Sequence, residues 1–212
     1  KYFDEVYEID LTTLEPHLGG PHTPDLARPI SAIAEEAKKN NWPTKLSSAL
    51  IGSCTNSSYE DIGRSAMIAE QAMSIGVRMS QPFLVSPGST QIQNTITRDG
   101  QMKTFESVGA VVLANACGPC IGQWKRDDVK SGEKNTILTS FNRNFRGRND
   151  ANMETLSFIG SPEIVMAMGL AGRIDFNPMT DELQGPTGKM KLKAPQAPGL
   201  PEKGFMPDTE GY

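Results

Sequence analysis

The sequence predicts an α/β fold on a mainly parallel sheet, followed by an irregular C-terminal linker. Short β-prone runs alternate with helical patterns along most of the chain, as strands joined by crossover helices do. Gly109–Ala114 is apolar throughout, as a strand buried on both faces should be, and Asn135–Ser140 reads as a second strand of that buried type. From Gly185 to Gly204, by contrast, prolines and glycines recur without a sustained period.

Taken in order, Val6–Leu11 alternates well enough for a short strand, after which Pro16, Gly19, Gly20, Pro21 and Pro24 impose an extended, irregular crossing. From Pro29, the apolar stripe Ile30, Ile33, Ala34 and Ala37, with Glu35, Glu36, Lys38 and Lys39 outward, predicts a helix ended by Asn40-Asn41 and Trp42-Pro43. Ser48–Gly52 reads as a buried strand. The cluster Thr55-Asn56-Ser57-Ser58 offers N-caps for a helix from Tyr59 to about Ile75, where Gly76 can close it.

Pro82–Ser86 is the next strand, and Gly88-Ser89-Thr90 caps a helix carrying Ile92 and Ile96. A second helical stretch, Gln101–Ser107, follows the break at Asp99-Gly100. The charged run Lys125–Lys134, interrupted by Gly132, reads as a solvated loop or short helix. Leu156–Ile159 is extended, and Ser161 caps a helix that has Pro162 at its first position and ends near Gly172. The remainder reads as a short hairpin or linker on the surface. The expected division is an N-terminal strand and crossing over 1–28, an α/β body over 29–177, and a Pro/Gly-rich tail over 178–212.

A chain of 212 residues with 37% hydrophobic content can bury a substantial core. Its net charge of −4 and sequence pI near 5.3 give no general attraction to nucleic acid or to anionic membranes. No apolar run approaches the length of a membrane span. Three cysteines, an odd number, argue against a disulfide framework and fit a reducing compartment. The opening Lys1-Tyr2-Phe3-Asp4 carries no initiator Met and no targeting character, so a piece of a longer chain is expected.

The chemistry concentrates at those cysteines. Cys54 follows the run Ile51-Gly52-Ser53, and Cys117 and Cys120 lie in Ala116-Cys117-Gly118-Pro119-Cys120-Ile121 after another apolar run. Each is expected just past the C-terminal end of a strand, where open α/β sheets place ligands. Three thiolates from two loops can hold three corners of an iron–sulfur cube and leave the fourth iron open. Rival readings start from the same residues. Cys-Gly-Pro-Cys is also the thioredoxin-type redox motif, but Ala116 replaces the usual preceding aromatic residue and Gly122 weakens the helix expected there. A Cys3His zinc site using His17 or His22 would be tetrahedral, yet only one close-spaced pair is present. Histidines in such a Pro/Gly-rich crossing are more often solvated or bonded to backbone. Three unrelated buried cysteines is the blandest reading, and their shared position after strands weighs against it.

Just after Asn135–Ser140, Arg143, Arg146 and Arg148 with Asn142 and Asn144 form a dense polar loop. By itself it reads as solvated surface. Beside the cysteines, its guanidinium groups would make bidentate partners for carboxylates.

Three segments carry a resemblance to a known family: Gly52-Ser53-Cys54-Thr55-Asn56-Ser57, Cys117-Gly118-Pro119-Cys120-Ile121-Gly122-Gln123-Trp124, and Asn142-Arg143-Asn144-Phe145-Arg146-Gly147-Arg148. The chain resembles the third domain of aconitases, most closely the mitochondrial type, through nearly its whole length. The resemblance implies a three-layer α/β/α domain and a [4Fe-4S] cluster held by Cys54, Cys117 and Cys120. It further implies substrate-carboxylate contacts from Arg143 and Arg148, with Ser53 and Asn142 in the cluster neighbourhood. Aconitases interconvert citrate and isocitrate through cis-aconitate, the open iron acting as Lewis acid on the substrate hydroxyl and a carboxylate. Homoaconitases and isopropylmalate isomerases share the three-cysteine plan, and Gly118-Pro119 with Ile121-Gly122-Gln123-Trp124 favours aconitase over them. The family's serine base and other substrate arginines match nothing here. The fragment alone is therefore expected to be inactive, with the remaining domains as its partners, the mitochondrial matrix as its location, and neither membrane nor nucleic acid as a ligand.

Overall fold

The apolar runs form one seven-stranded sheet in the order β2-β1-β7-β6-β3-β4-β5. A computed structural model of the chain describes residues 2–52, 54–115 and 117–207. β1 (His17–Gly19) and β2 (Ala27–Pro29) form an antiparallel edge, joined to the rest through Gly19 opposite Ile159. β3 (Leu46–Ile51), β4 (Phe83–Val85), β5 (Val111–Val112), β6 (Asn135–Thr139) and β7 (Thr155–Ile159) are mutually parallel. Five α-helices complete this body: α1 (Ile33–Lys39), α2 (Tyr59–Met73), α3 (Thr90–Asp99), α4 (Gln101–Ser107) and α5 (Pro162–Ala171). The architecture is mixed α/β with a mainly parallel sheet, consistent with the three-layer expectation. Among the described residues, no helix is long and apolar enough to cross a membrane.

Local chemistry accounts for the helix ends. Ser58 and Asp61 form a capping box at α2: the Asp61 amide donates to Ser58 Oγ at 3.2 Å, and the Ser58 amide donates to Asp61 Oδ2 at 3.0 Å. Ser89 accepts from the Ile92 amide at the start of α3. Pro162 opens α5, where Ser161 occupies the cap position without a side-chain bond, and Gly172 closes it in the left-handed conformation.

The strand alternation divides the core. Ala49, Ile51, Phe83, Val85, Leu138, Leu156 and Phe158 face the main core with α2 and α5, whereas Leu50 and Ile137 face the other way, against Trp124 and Phe141. Gly169 of α5 packs directly on Phe83, where an added Cβ would overlap the ring. Alanine gains about 1 kcal/mol over glycine in a helix, but overpacking a fully buried contact costs about 1–3 kcal/mol. Gly169→Ala is therefore expected to lower the urea midpoint of the intact protein, and an unchanged or raised midpoint would show that Phe83 can move aside freely.

Some expectations are corrected. Val6–Leu11 is not a strand: Val6, Ile9 and Leu11 are exposed, and the edge of the sheet is taken instead by the β1–β2 hairpin. Gly109–Ala114 contributes only Val111–Val112, and Val111 is 55% exposed, so this edge strand is not covered on both faces. The run Lys125–Lys134 is a loop, but not a wholly solvated one, because the Arg126 side chain is 3% exposed. In the tail, β8 (Glu182–Gly185) and β9 (Gly188–Lys191) form the hairpin.

Candidate metal centre

From β3 the chain moves outward to β4 and β5, then returns to the other side of β3 to form β6 and β7. The order reverses between β3 and β6, and ligands bind beyond the C-terminal ends of strands at such a point. Cys54 follows β3, the Cys117–Cys120 turn follows β5, and the arginine loop follows β6. Because these strands are parallel, all three segments leave the same edge of the sheet.

Short-range contacts fix how they leave. The Gly52 amide donates to Ser140 Oγ at 3.0 Å, and the Ser140 amide donates to Leu50 O at 3.1 Å, tying the ends of β3 and β6 together. A Cβ at Gly52 would lie 2.9 Å from that of Ser86, so the approach to Cys54 admits no side chain there. Pro119–Ile121 forms a 3-10 turn, closed by Gly122 at φ +92°. This is not the α-helix start of a thioredoxin-type motif. A Cβ at Gly122 would lie 2.8 Å from Arg148 O, which makes glycine a requirement both for the turn and for contact with the arginine loop.

Cys54 and Cys117 are exposed, Cys120 is half-buried, and all three thiols are free. Cys120 packs beside Leu84 against the cluster of Leu50, Trp124, Ile137 and Phe141. Burial pushes its thiol pKa up; the charge of Arg148 opposes this, Cys117 and Cys54 add to it, and Arg143 opposes it further. Those four groups are thus within electrostatic reach of Cys120.

Arg148 is half-buried over the Phe145 ring, its guanidinium carbon 5.9 Å from the centroid, and its buried Nε has no hydrogen-bond partner among the described residues. Asn142, Arg143 and Arg146 are exposed. Asn144 instead is fully buried and donates to Ser157 O at 2.9 Å, so it anchors the loop to β7. Ser53 lies outside the described residues.

The histidines go elsewhere. His17 Nδ1 is 2.7 Å from Glu15 O. His22 forms a bridge with Phe145, and its pKa is lowered by burial and by Arg146, with Glu154 acting the other way. That places His22 beside the arginine loop, a proximity which nothing in its Pro/Gly-rich surroundings signals. Among the described residues, no three His, Cys, Asp or Glu side chains stand at the spacing of a single metal ion. A Cys3His zinc centre is therefore not preassembled.

Fold and edge together define an α/β domain that presents thiols and guanidinium groups beyond one end of a parallel sheet. The family model described as Aconitase family (aconitate hydratase) matches residues 1–172, and the chain belongs to that family. It is 56% identical over its full length to the mitochondrial aconitate hydratase of Schizosaccharomyces pombe. It is 58% identical over its full length to the probable mitochondrial aconitate hydratase of Dictyostelium discoideum. To the probable mitochondrial aconitate hydratase of Caenorhabditis elegans it is 56% identical over 99% of the chain. The chain spans only 27–28% of the length of these relatives.

Proposed function

We propose that the chain is the cluster-bearing part of a mitochondrial aconitate hydratase, a hydro-lyase that interconverts citrate and isocitrate through cis-aconitate. The observation that carries this reading is that Cys54, the Cys117–Cys120 turn and the Arg143–Arg148 loop all follow the C-terminal ends of parallel strands around the reversal point of the sheet. On this reading the three cysteines hold a [4Fe-4S] cluster, which when bound supplies a Lewis acid at its open iron. Relatives named mitochondrial aconitate hydratase support a mitochondrial location; within it, the proposal assigns the chain to the matrix.

The chain's own part is to hold and orient the substrate. Two features support this role for Arg148: its buried Nε–H has no partner among the described residues, and its guanidinium stacks over the Phe145 ring, which favours a fixed plane for pairing with a carboxylate. Arg143 adds a second, more exposed cation, and the exposed Asn142 beside it borders the cluster. The proton-transferring groups and the remaining substrate contacts belong to the other domains. Under this assignment residues 29–177 are the cluster-binding body, 1–28 its N-terminal crossing and 178–212 a linker; the net charge of −4 gives no general attraction to nucleic acid.

In the intact enzyme, Arg148→Lys keeps the charge and loses the fork. Losing one charge-assisted bond of about 1.5–3 kcal/mol should raise the citrate KM roughly 10- to 100-fold while iron content stays constant. Unchanged KM and turnover would make the loop mere surface.

A further inference from the structure

The two segments 117–134 and 140–154, which contribute Trp124 and Phe141 to the smaller apolar cluster, are laced together by a series of contacts. Gly122 abuts Arg148 O, the Trp124 amide donates to Asn149 O at 3.1 Å, and Arg126 pairs with Asp150 at 3.3 Å. Further along, the Gly132 amide donates to Asn152 Oδ1 at 3.2 Å, and Asn152 Nδ2 donates to Glu133 O at 2.9 Å. The one charged contact in this series is nearly dry: the side chains of Arg126 and Asp150 are 3% and 2% exposed.

Arg126 uses its whole fork. Its Nε donates to Asp128 Oδ1 at 3.0 Å, Nη1 to Asn135 Oδ1 at 2.9 Å and to Asp150 Oδ2, and Nη2 to Ser47 Oγ at 2.9 Å and to the other oxygen of Asp128. Its guanidinium carbon also lies 5.6 Å from the centroid of Trp124, a member of the small apolar cluster against which Cys120 packs. Asp150 in turn accepts from Thr155 Oγ1 at 2.8 Å and from the Asn152 amide at 3.1 Å. One side chain thereby connects β3 and β6 with Trp124, four residues beyond Cys120, and with the residue two places beyond Arg148.

We propose that Arg126 is a positioning residue: it sets the separation between the cysteine turn and the Arg148 guanidinium, and so the affinity for the carboxylate substrate. This deepens the substrate reading of Arg148 and rests on it. Lysine cannot replace a fork that bonds four different side chains, so Arg126→Lys should loosen the register between the loops without removing the charge.

The test uses the full-length enzyme with Arg126→Lys, Arg148→Lys and the double variant, plus Asp150→Asn as a milder break of the same contact should the Arg126 variants fail to fold. Citrate affinity is measured by calorimetry on cluster-free protein, alongside citrate KM, kcat and iron content on loaded protein. Arg126→Lys is expected to weaken citrate binding at least about 5-fold at unchanged iron content, and to add less than about 2-fold in the Arg148→Lys background, as coupled residues do. Asp150→Asn should act in the same direction. A fall in melting temperature with wild-type citrate affinity would make Arg126 structural only and overturn the proposal. Full additivity with Arg148→Lys would overturn it too, leaving the reading of Arg148 intact. Wild-type affinity in Arg148→Lys itself would sink that reading and this one together.

Discussion

Reconstituted with iron and sulfide, the 212-residue chain alone is expected to interconvert citrate and isocitrate at least about 10⁴-fold more slowly than the whole enzyme at equal cluster content. General acid–base catalysis contributes about 10²- to 10⁴-fold in typical enzymes, and correct positioning contributes more. This chain matches no family base to either role, and His17 already meets a backbone carbonyl. Tyr2, Phe3, Val6, Tyr7, Ile9 and Leu11 are all exposed, as is Val111 on the edge strand. Such apolar surface calls for cover, and the chain spans 27% of the length of the Schizosaccharomyces pombe relative. An aconitate-absorbance assay on the fragment beside the full-length enzyme tests this; comparable turnover would mean that the division of labour is wrong.

The second large effect concerns the cysteines one at a time. Alanine at Cys54, Cys117 or Cys120 should each remove most of the visible absorbance and tightly held iron of the reconstituted protein, since each thiolate supplies one corner. The informative variant is Cys54→Ala. A thioredoxin-type dithiol needs only the Cys117–Cys120 pair and would keep its thiol–disulfide chemistry without Cys54. Full iron retention by Cys54→Ala would remove that residue from the site.

The parts of the fold that could be read from sequence are those governed by local rules. Ser58, Ser89, Pro162 and Gly172 mark helix ends, and the helix over Gln101–Ser107 needed only the glycine before it. Strands were harder, because alternation says that a segment can pair and not that a partner awaits it. Val6–Leu11 has the pattern without a place in the sheet, while the less regular His17–Gly19 finds one against β7. Val111 looked buried because edge and central strands share a composition.

At the site, the cysteines and arginines were visible as residue types in loops after strands. Their gathering at one edge is a matter of strand order, which β3 lying between β4 and β6 decides. The residues that hold these loops in place carry no such signal. Arg126 in Lys125-Arg126-Asp127-Asp128 looks like a solvated charge run, and only its distant partners Ser47, Asn135 and Asp150 reveal it as buried. Asn144 reads as one more solvated residue of the polar loop, yet it is buried and its contact with Ser157 makes it an anchor.

The most direct test of the cluster assignment is metal content after anaerobic reconstitution of the full-length enzyme, offered iron with sulfide in one arm and zinc in the other. The account predicts iron and sulfide in nearly equal amounts, about four of each per chain, with broad visible absorbance that depends on all three cysteines. One tightly bound zinc per chain, with no retained sulfide, would contradict it.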